Sequence, residues 1–127
     1  MNNSQISLAD NFKEFAALLE KGDSLEAIER FFADDIQQYE NNQLTFSGKQ
    51  KSLEEERNNL DKVTQFSALF ANVGIDFAQQ RVWGEMILTF DSKKTGKMLL
   101  EEAFFQQWEN GKIKVQKFYY KGIQQQK

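Results

Sequence analysis

The stretch "KGDSLEAIERFFADDIQQYEN", Lys21 to Asn41, changes its apolar period partway along, and that change decides the fold. Leu25, Ile28 and Phe32 recur at helical spacing, whereas "DDIQQYE" breaks the helical period. A helix therefore runs out into a strand that ends on a carboxylate, Glu40. Gly22 and Asp23 mark where this helix begins: Gly22 closes the preceding element, and Asp23 is placed to cap, with Glu26 at the third helical position as in a capping box.

Upstream, Leu8, Phe12, Phe15 and Leu19 predict an amphipathic first helix over about Ser7 to Lys21. Downstream, the turn-rich "NNQLTFSG" reads as a short strand and a loop ending at Gly48. "KQKSLEEERNNL" then predicts a third helix whose apolar residues are few, Leu53 and Leu60, so it should lie on the surface as a lid over one edge. From Val63 onward β-branched and aromatic residues dominate. Four long strands are expected, at roughly 64–78, 80–91, 97–109 and 112–121. Gly96 lies in a longer loop and Asn110-Gly111 predicts a tight type I′ hairpin. Gly84, inside "RVWGEMIL", fits no turn and reads as a bulge where the sheet bends. Helices first and a strand meander afterwards predict an α+β domain, with N-terminal helices covering one face of a strongly curved antiparallel sheet. Residues 1–127 are expected to form one domain, with 122–127 a frayed tail.

Composition narrows the function classes. The chain has 127 residues, a net charge of -3 and no basic stripe, which argues against nucleic acid as a partner. Neither a leader nor a membrane-spanning run is visible, so a cytoplasmic protein with no membrane partner is expected. There is no Cys and no His. That removes thiol chemistry, the commonest general base and the usual zinc ligand sets. No calcium loop or phosphate-cradling glycine motif is present, so no metal and no organic cofactor are expected. Any chemistry left is carboxylate chemistry in an aromatic pocket.

The succession of "KGDSLEAIERFFADDIQQYEN", "FSGKQ" and "WENGKIKVQKFYY" resembles the nuclear-transport-factor-two-like superfamily, the cone-shaped α+β fold that includes SnoaL-like polyketide cyclases and ketosteroid isomerases. The resemblance spans nearly the whole chain and implies a cone with an internal cavity. In ketosteroid isomerases the segment matching "ADDIQQYEN" carries an aspartate general base where this chain has Glu40. The two oxyanion donors of that family fall here on Ala16 and Phe104, neither of which can donate, so steroid isomerisation by that mechanism is not expected.

Strand alternation groups Ile36, Gln38 and Glu40 on one face, and Leu100, Glu102, Phe104, Gln106 and Trp108 on another. The resemblance turns both sets into the cone, together with Gln116, Phe118 and Tyr120. Ile113 and Val115 have the opposite parity and also call for burial, a conflict that either a bulge or a subunit interface would resolve. Candidate catalytic residues are Glu40 and Tyr120; candidate ligand-binding residues are Gln38, Met86, Glu102, Phe104, Gln106, Trp108 and Phe118. Each has a plainer reading. Glu40 as a solvated strand end, "LLEEAFF" slipped by one so that Glu101 is buried instead of Glu102, and Phe104, Phe118, Trp108 and Met86 as ordinary core. Trp83, Ile87, Ile113, Val115 and Tyr119 suggest a homodimer through the outer sheet face. Two functions follow: a small-molecule isomerase, cyclase or dehydratase acting on a hydrophobic carbonyl compound, or a non-catalytic ligand-binding or dimerisation module of the same fold.

Overall fold

Phe31 ends a helix and Phe32 begins a strand without an intervening loop. The Phe32 N–H still donates to the Ile28 carbonyl while its own backbone is already extended. Both rings are buried, so the junction is pinned by its own side chains. The computed structural model describes residues 3–122 and 124–125, with side chains described from 8 to 122. In chain order the elements are α1 (Asn3–Glu20), α2 (Ser24–Phe31), β1 (Phe32–Glu40), β2 (Gln43–Ser47), α3 (Lys49–Leu60), β3 (Val63–Asp76), β4 (Arg81–Ser92), β5 (Gly96–Glu109), β6 (Lys112–Tyr119) and β7 (Gln124–Gln125). The tail expectation is corrected in part: Gln124 and Gln125 pair with Leu99 and Met98 of β5, and Ile123, Gln126 and Lys127 lie outside the described residues. The capping box is also corrected. The Asp23 side chain makes no cap bond and faces Lys21 Nζ at 3.4 Å, while its carbonyl accepts from Ala27 N–H.

The sheet runs β2-β1-β6-β5-β4-β3. It is mixed where a purely antiparallel sheet was expected, because β1 and β6 pair in parallel. The cause is topological: the chain leaves β1, crosses through α3 and returns through the β3–β6 meander, so β6 arrives beside β1 in the same direction. The "NNQLTFSG" segment holds the expected short strand, β2, which a two-residue turn joins to β1 as a hairpin. Asn41 and Asn42 adopt φ of 52° and 68°, joining Glu40 to Gln43, the primed geometry that asparagine tolerates. The Asn110-Gly111 hairpin forms as expected, between Glu109 and Lys112.

Three helices close over one face, and Phe12, Phe15, Phe31, Phe70, Phe104 and Trp108 meet beneath them. Phe12 stacks on Phe104 at 5.9 Å, and Trp108 meets Phe15 and Phe31 edge-on at 6.3 and 5.9 Å. Bulges bend the sheet around this core. In β6 the register jumps from Val115 opposite Gln107 to Ile113 opposite Trp108, so Lys114 is the extra residue. That single insertion settles the parity conflict for Ile113, while Val115 keeps the outward parity and is half-buried. Ile113 turns inward and is fully buried with the aromatic cluster, while Gln116 and Phe118 also face in. The expectation of Ile113 on the outer face is thereby corrected. Lys114 points out, and its Nζ donates to Asp35 Oδ1 and Oδ2 at 2.7 and 2.8 Å.

Gly84 is tied to a bulge, although the extra residue sits on its neighbour. Ala71 pairs Glu85 and Gly74 pairs Trp83, leaving Asn72 and Val73 both opposite Gly84. A Cβ on Gly84 would come within 3.0 Å of Val73 Cα and 3.1 Å of the Ala71 and Asn72 carbonyl oxygens. These are backbone atoms that cannot swing aside. Gly84→Ala is therefore expected to destabilise by about 1–3 kcal/mol, the overpacking cost outweighing the strand preference for alanine, read from the urea midpoint. An unchanged midpoint would contradict this packing. On the outer face Trp83, 45% exposed, lies across its cross-strand partner: its ring atoms are 2.7 Å from where a Gly74 Cβ would stand. Part of the cover that this indole needs thus comes from its own chain.

Candidate functional site

Between the helices and the concave sheet face lies a cavity of about 510 Å³. Phe15 and Leu19 of α1, Ile28 of α2 and Phe66, Phe70, Met86, Leu88, Phe90, Phe104 and Phe118 of the sheet make its apolar wall. Polar groups enter at a few places, as in small-molecule sites generally. Among the described residues no three acidic side chains converge as a cation site.

Glu40 of β1, Glu102 of β5 and Tyr120, just past the end of β6, meet on one side of the cavity. β1 delivers Glu40 at its last residue. The turn that follows fixes it, since Asn41 N–H donates to the Phe118 carbonyl at 2.8 Å. The Asn41 side chain accepts from Tyr120 N–H at 2.9 Å, which brings the Tyr120 hydroxyl to Glu40 Oε2, where it donates at 3.2 Å. Glu102 sits on β5 opposite Met86 and is only 8% exposed, so the alternation of "LLEEAFF" falls with Glu102 inside and Glu101 outside. Burial, and secondarily the neighbouring Glu40 carboxylate, push the Glu102 carboxyl up to about 8. At neutral pH it is an acid with a proton to donate. Burial and the same carboxylate also raise the Tyr120 hydroxyl, which stays protonated.

A second polar feature crosses the cavity wall. Trp108 Nε1–H donates to Gln106 Oε1 at 2.9 Å and Gln106 Nε2–H to Gln116 Oε1 at 2.8 Å. Gln116 Nε2–H then donates to Gln38 Oε1 at 3.1 Å, and Gln38 Nε2–H to Ser52 Oγ at 2.7 Å. The Ser52 hydroxyl ends the chain on the Gly48 carbonyl at 3.1 Å. The ladder runs from β5 through β6 and β1 into α3, and its three amides line the cavity.

Of the residues expected at the site, Gln38, Glu40, Met86, Glu102, Phe104, Gln106, Phe118 and Tyr120 all line this cavity. Trp108 does not. Its ring packs between Phe15 and Phe31 in the core, because the aromatic cluster under α1 and α2 fills the space on that side of β5; only its N–H reaches toward the site, through Gln106. Ala16 is buried in α1 and Phe104 is stacked on Phe12, so neither supplies a donor. Ser52, Glu55 and Glu56 were missed. The "LEEER" cluster reads as a helix surface, yet Glu55 and Glu56 line the cavity, where burial raises the Glu56 carboxyl and the nearby Ser24 hydroxyl acts the other way. A serine among charged residues carries no signal for Ser52; its burial follows only from where α3 lands on β1.

An α+β cone enclosing an aromatic, acid-bearing cavity is thus the class of protein that fold and site define. No family model matches the sequence, and no curated protein matches it. Solved structures do. A Mesorhizobium loti protein provisionally assigned as a SnoaL-like polyketide cyclase is 27% identical, with a TM-score of 0.70 over 89% of this chain and 98% of its own. An epoxide hydrolase of M. tuberculosis is 17% identical, with a TM-score of 0.72 over 91% of this chain and 79% of its own. PrhC from Penicillium brasilianum is 11% identical, with a TM-score of 0.78 over 94% and 83%. The chain has the cone fold of the nuclear-transport-factor-two-like superfamily, shared with SnoaL-like and ketosteroid-isomerase-like proteins.

Proposed function

We propose that this protein is a cytoplasmic, carboxylate-dependent isomerase, cyclase or dehydratase acting on a hydrophobic carbonyl compound. The observation that carries this reading is the pair of carboxyl groups in one aromatic cavity whose surroundings divide the roles between them. Glu102 is held protonated and Glu40, at the rim, is bonded by the Tyr120 hydroxyl. A base and an acid side by side can take a proton from carbon and return one to oxygen, or the reverse. Glu40 removes the proton next to the carbonyl; Glu102 and Tyr120 donate to the charge that develops on oxygen. Incorporation of deuterium at the carbon beside the carbonyl of 2-tetralone, followed by proton NMR in D2O, tests the reading without knowledge of the natural substrate. Exchange no faster than in buffer would favour the non-catalytic binding module, which the missing donors at Ala16 and Phe104 also favour.

A homodimer through the outer sheet face belongs to the same proposal. Leu69, Trp83 and Tyr119 are exposed there and large. Sedimentation at micromolar concentration is expected to give twice the chain mass, and a monomer would remove this part of the proposal.

A further inference from the structure

We infer that the amide ladder of Gln38, Gln106 and Gln116 is a recognition element for a neutral hydrogen-bond-accepting oxygen, so that the ligand is an apolar body bearing a carbonyl that reaches this wall. The inference rests on reading the cavity as a ligand site, and not on turnover.

The direction of the ladder is locked at both ends. The Trp108 indole can only donate, so Gln106 must present its carbonyl oxygen to it and its NH2 to Gln116. The Gly48 carbonyl can only accept, so the Ser52 hydroxyl must donate to it and receive from Gln38. Turning any one amide over would set oxygen against oxygen and nitrogen against nitrogen at once. Each amide therefore spends its carbonyl and one N–H on the ladder. The second N–H of each has no acceptor among the described residues, although Gln106 and Gln116 are 1% and 3% exposed and all three line the cavity. A buried N–H without a partner is rarer and costlier than a carbonyl with a spare lone pair. What the wall asks for is an acceptor.

The charge around the cavity says which acceptor. Glu40, Glu55 and Glu56 line it, with Lys62 as the lone cation among the described lining residues, so a carboxylate or phosphate would face like charge, whereas a ketone, ester or lactone oxygen would not. The aromatic wall fits the rest of such a molecule.

The test uses a matched pair, 2-acetylnaphthalene and 2-ethylnaphthalene, titrated into the protein by NMR. Without the ladder the hydrocarbon should win, because burying an unpaired carbonyl is unfavourable. With it, the ketone is expected to bind about tenfold more tightly. The side-chain NH2 signals of Gln38, Gln106 and Gln116 should shift with the ketone and stay in place with the hydrocarbon. Gln116→Met, close in volume and unable to donate, should erase or reverse the preference; should that variant not fold, the signal comparison in the unaltered protein decides by itself. Equal binding of the two probes, or ketone binding that leaves those signals unmoved, would overturn the inference while the cavity remains a ligand site. Failure of both probes to bind would remove the ligand-site reading and the inference together.

Discussion

Replacing Glu102 by glutamine is expected to raise the melting temperature at pH 7 by roughly 10 °C, the shift that about 3 kcal/mol produces in a domain of this size. The folded chain holds the Glu102 proton up to about 8, whereas an unfolded glutamate releases it near 4.5. Between those values the folded state binds the extra proton. The Glu102 contribution to stability is therefore greatest below 4.5 and falls as pH rises through 8, by about 1.4 kcal/mol for each pH unit between them. Glutamine keeps the shape and an N–H donor but has no proton to lose, so the variant should escape this decline. Thermal melts of both proteins from pH 4.5 to 8.5 measure it: the curves should start together and separate steadily. Parallel curves would mean that Glu102 ionises freely and that the acid half of the proposed pair does not exist.

A second large effect concerns Glu40. Deuterium exchange into 2-tetralone is expected to fall about 10²–10⁴-fold in Glu40→Gln, the usual contribution of a positioned general base. Folding should be nearly unaffected, because Glu40 is half-buried at a strand end. Glu102→Gln should cost less, since its amide still donates. The pH profile carries independent information: exchange in the unaltered protein should decline as pH passes about 8, where Glu102 gives up its proton. An exchange rate insensitive to Glu40→Gln would leave the cavity a binding site with no placed base.

Much of the fold is legible in local signals. Asn110-Gly111, the helix over Lys49–Leu60 and the alternation of Leu100, Glu102, Phe104 and Gln106 each depend on neighbours a few residues away, and each forms as read. The parallel pairing of β1 with β6 was not legible, since it depends on the path of the chain between them. Nor was the type of the Asn41-Asn42 turn, where two asparagines accept left-handed geometry that glycine usually signals. At the candidate site, parity sufficed for Glu40, Gln38 and Glu102, but nothing in β5 alone separates Trp108 from Phe104. They share a face, and which of them meets open space depends on where α1 and α2 pack. Ser52 and Glu56 depend in the same way on the docking of α3.

The bulge at Lys114 has a bearing on how such a protein can change over generations. One strand serves two compartments, with Ile113 before the inserted residue in the sealed aromatic cluster and Gln116 and Phe118 after it in the open cavity. The two compartments are nonetheless joined, because Phe118 packs against the edge of the cluster and Gln116 is tied to Trp108 through Gln106, so a substitution at 116 or 118 is felt in the core through those shared contacts. A change of ligand preference along this strand is therefore coupled to the packing of the core, and what the bulge secures is that Ile113 itself stays out of the cavity.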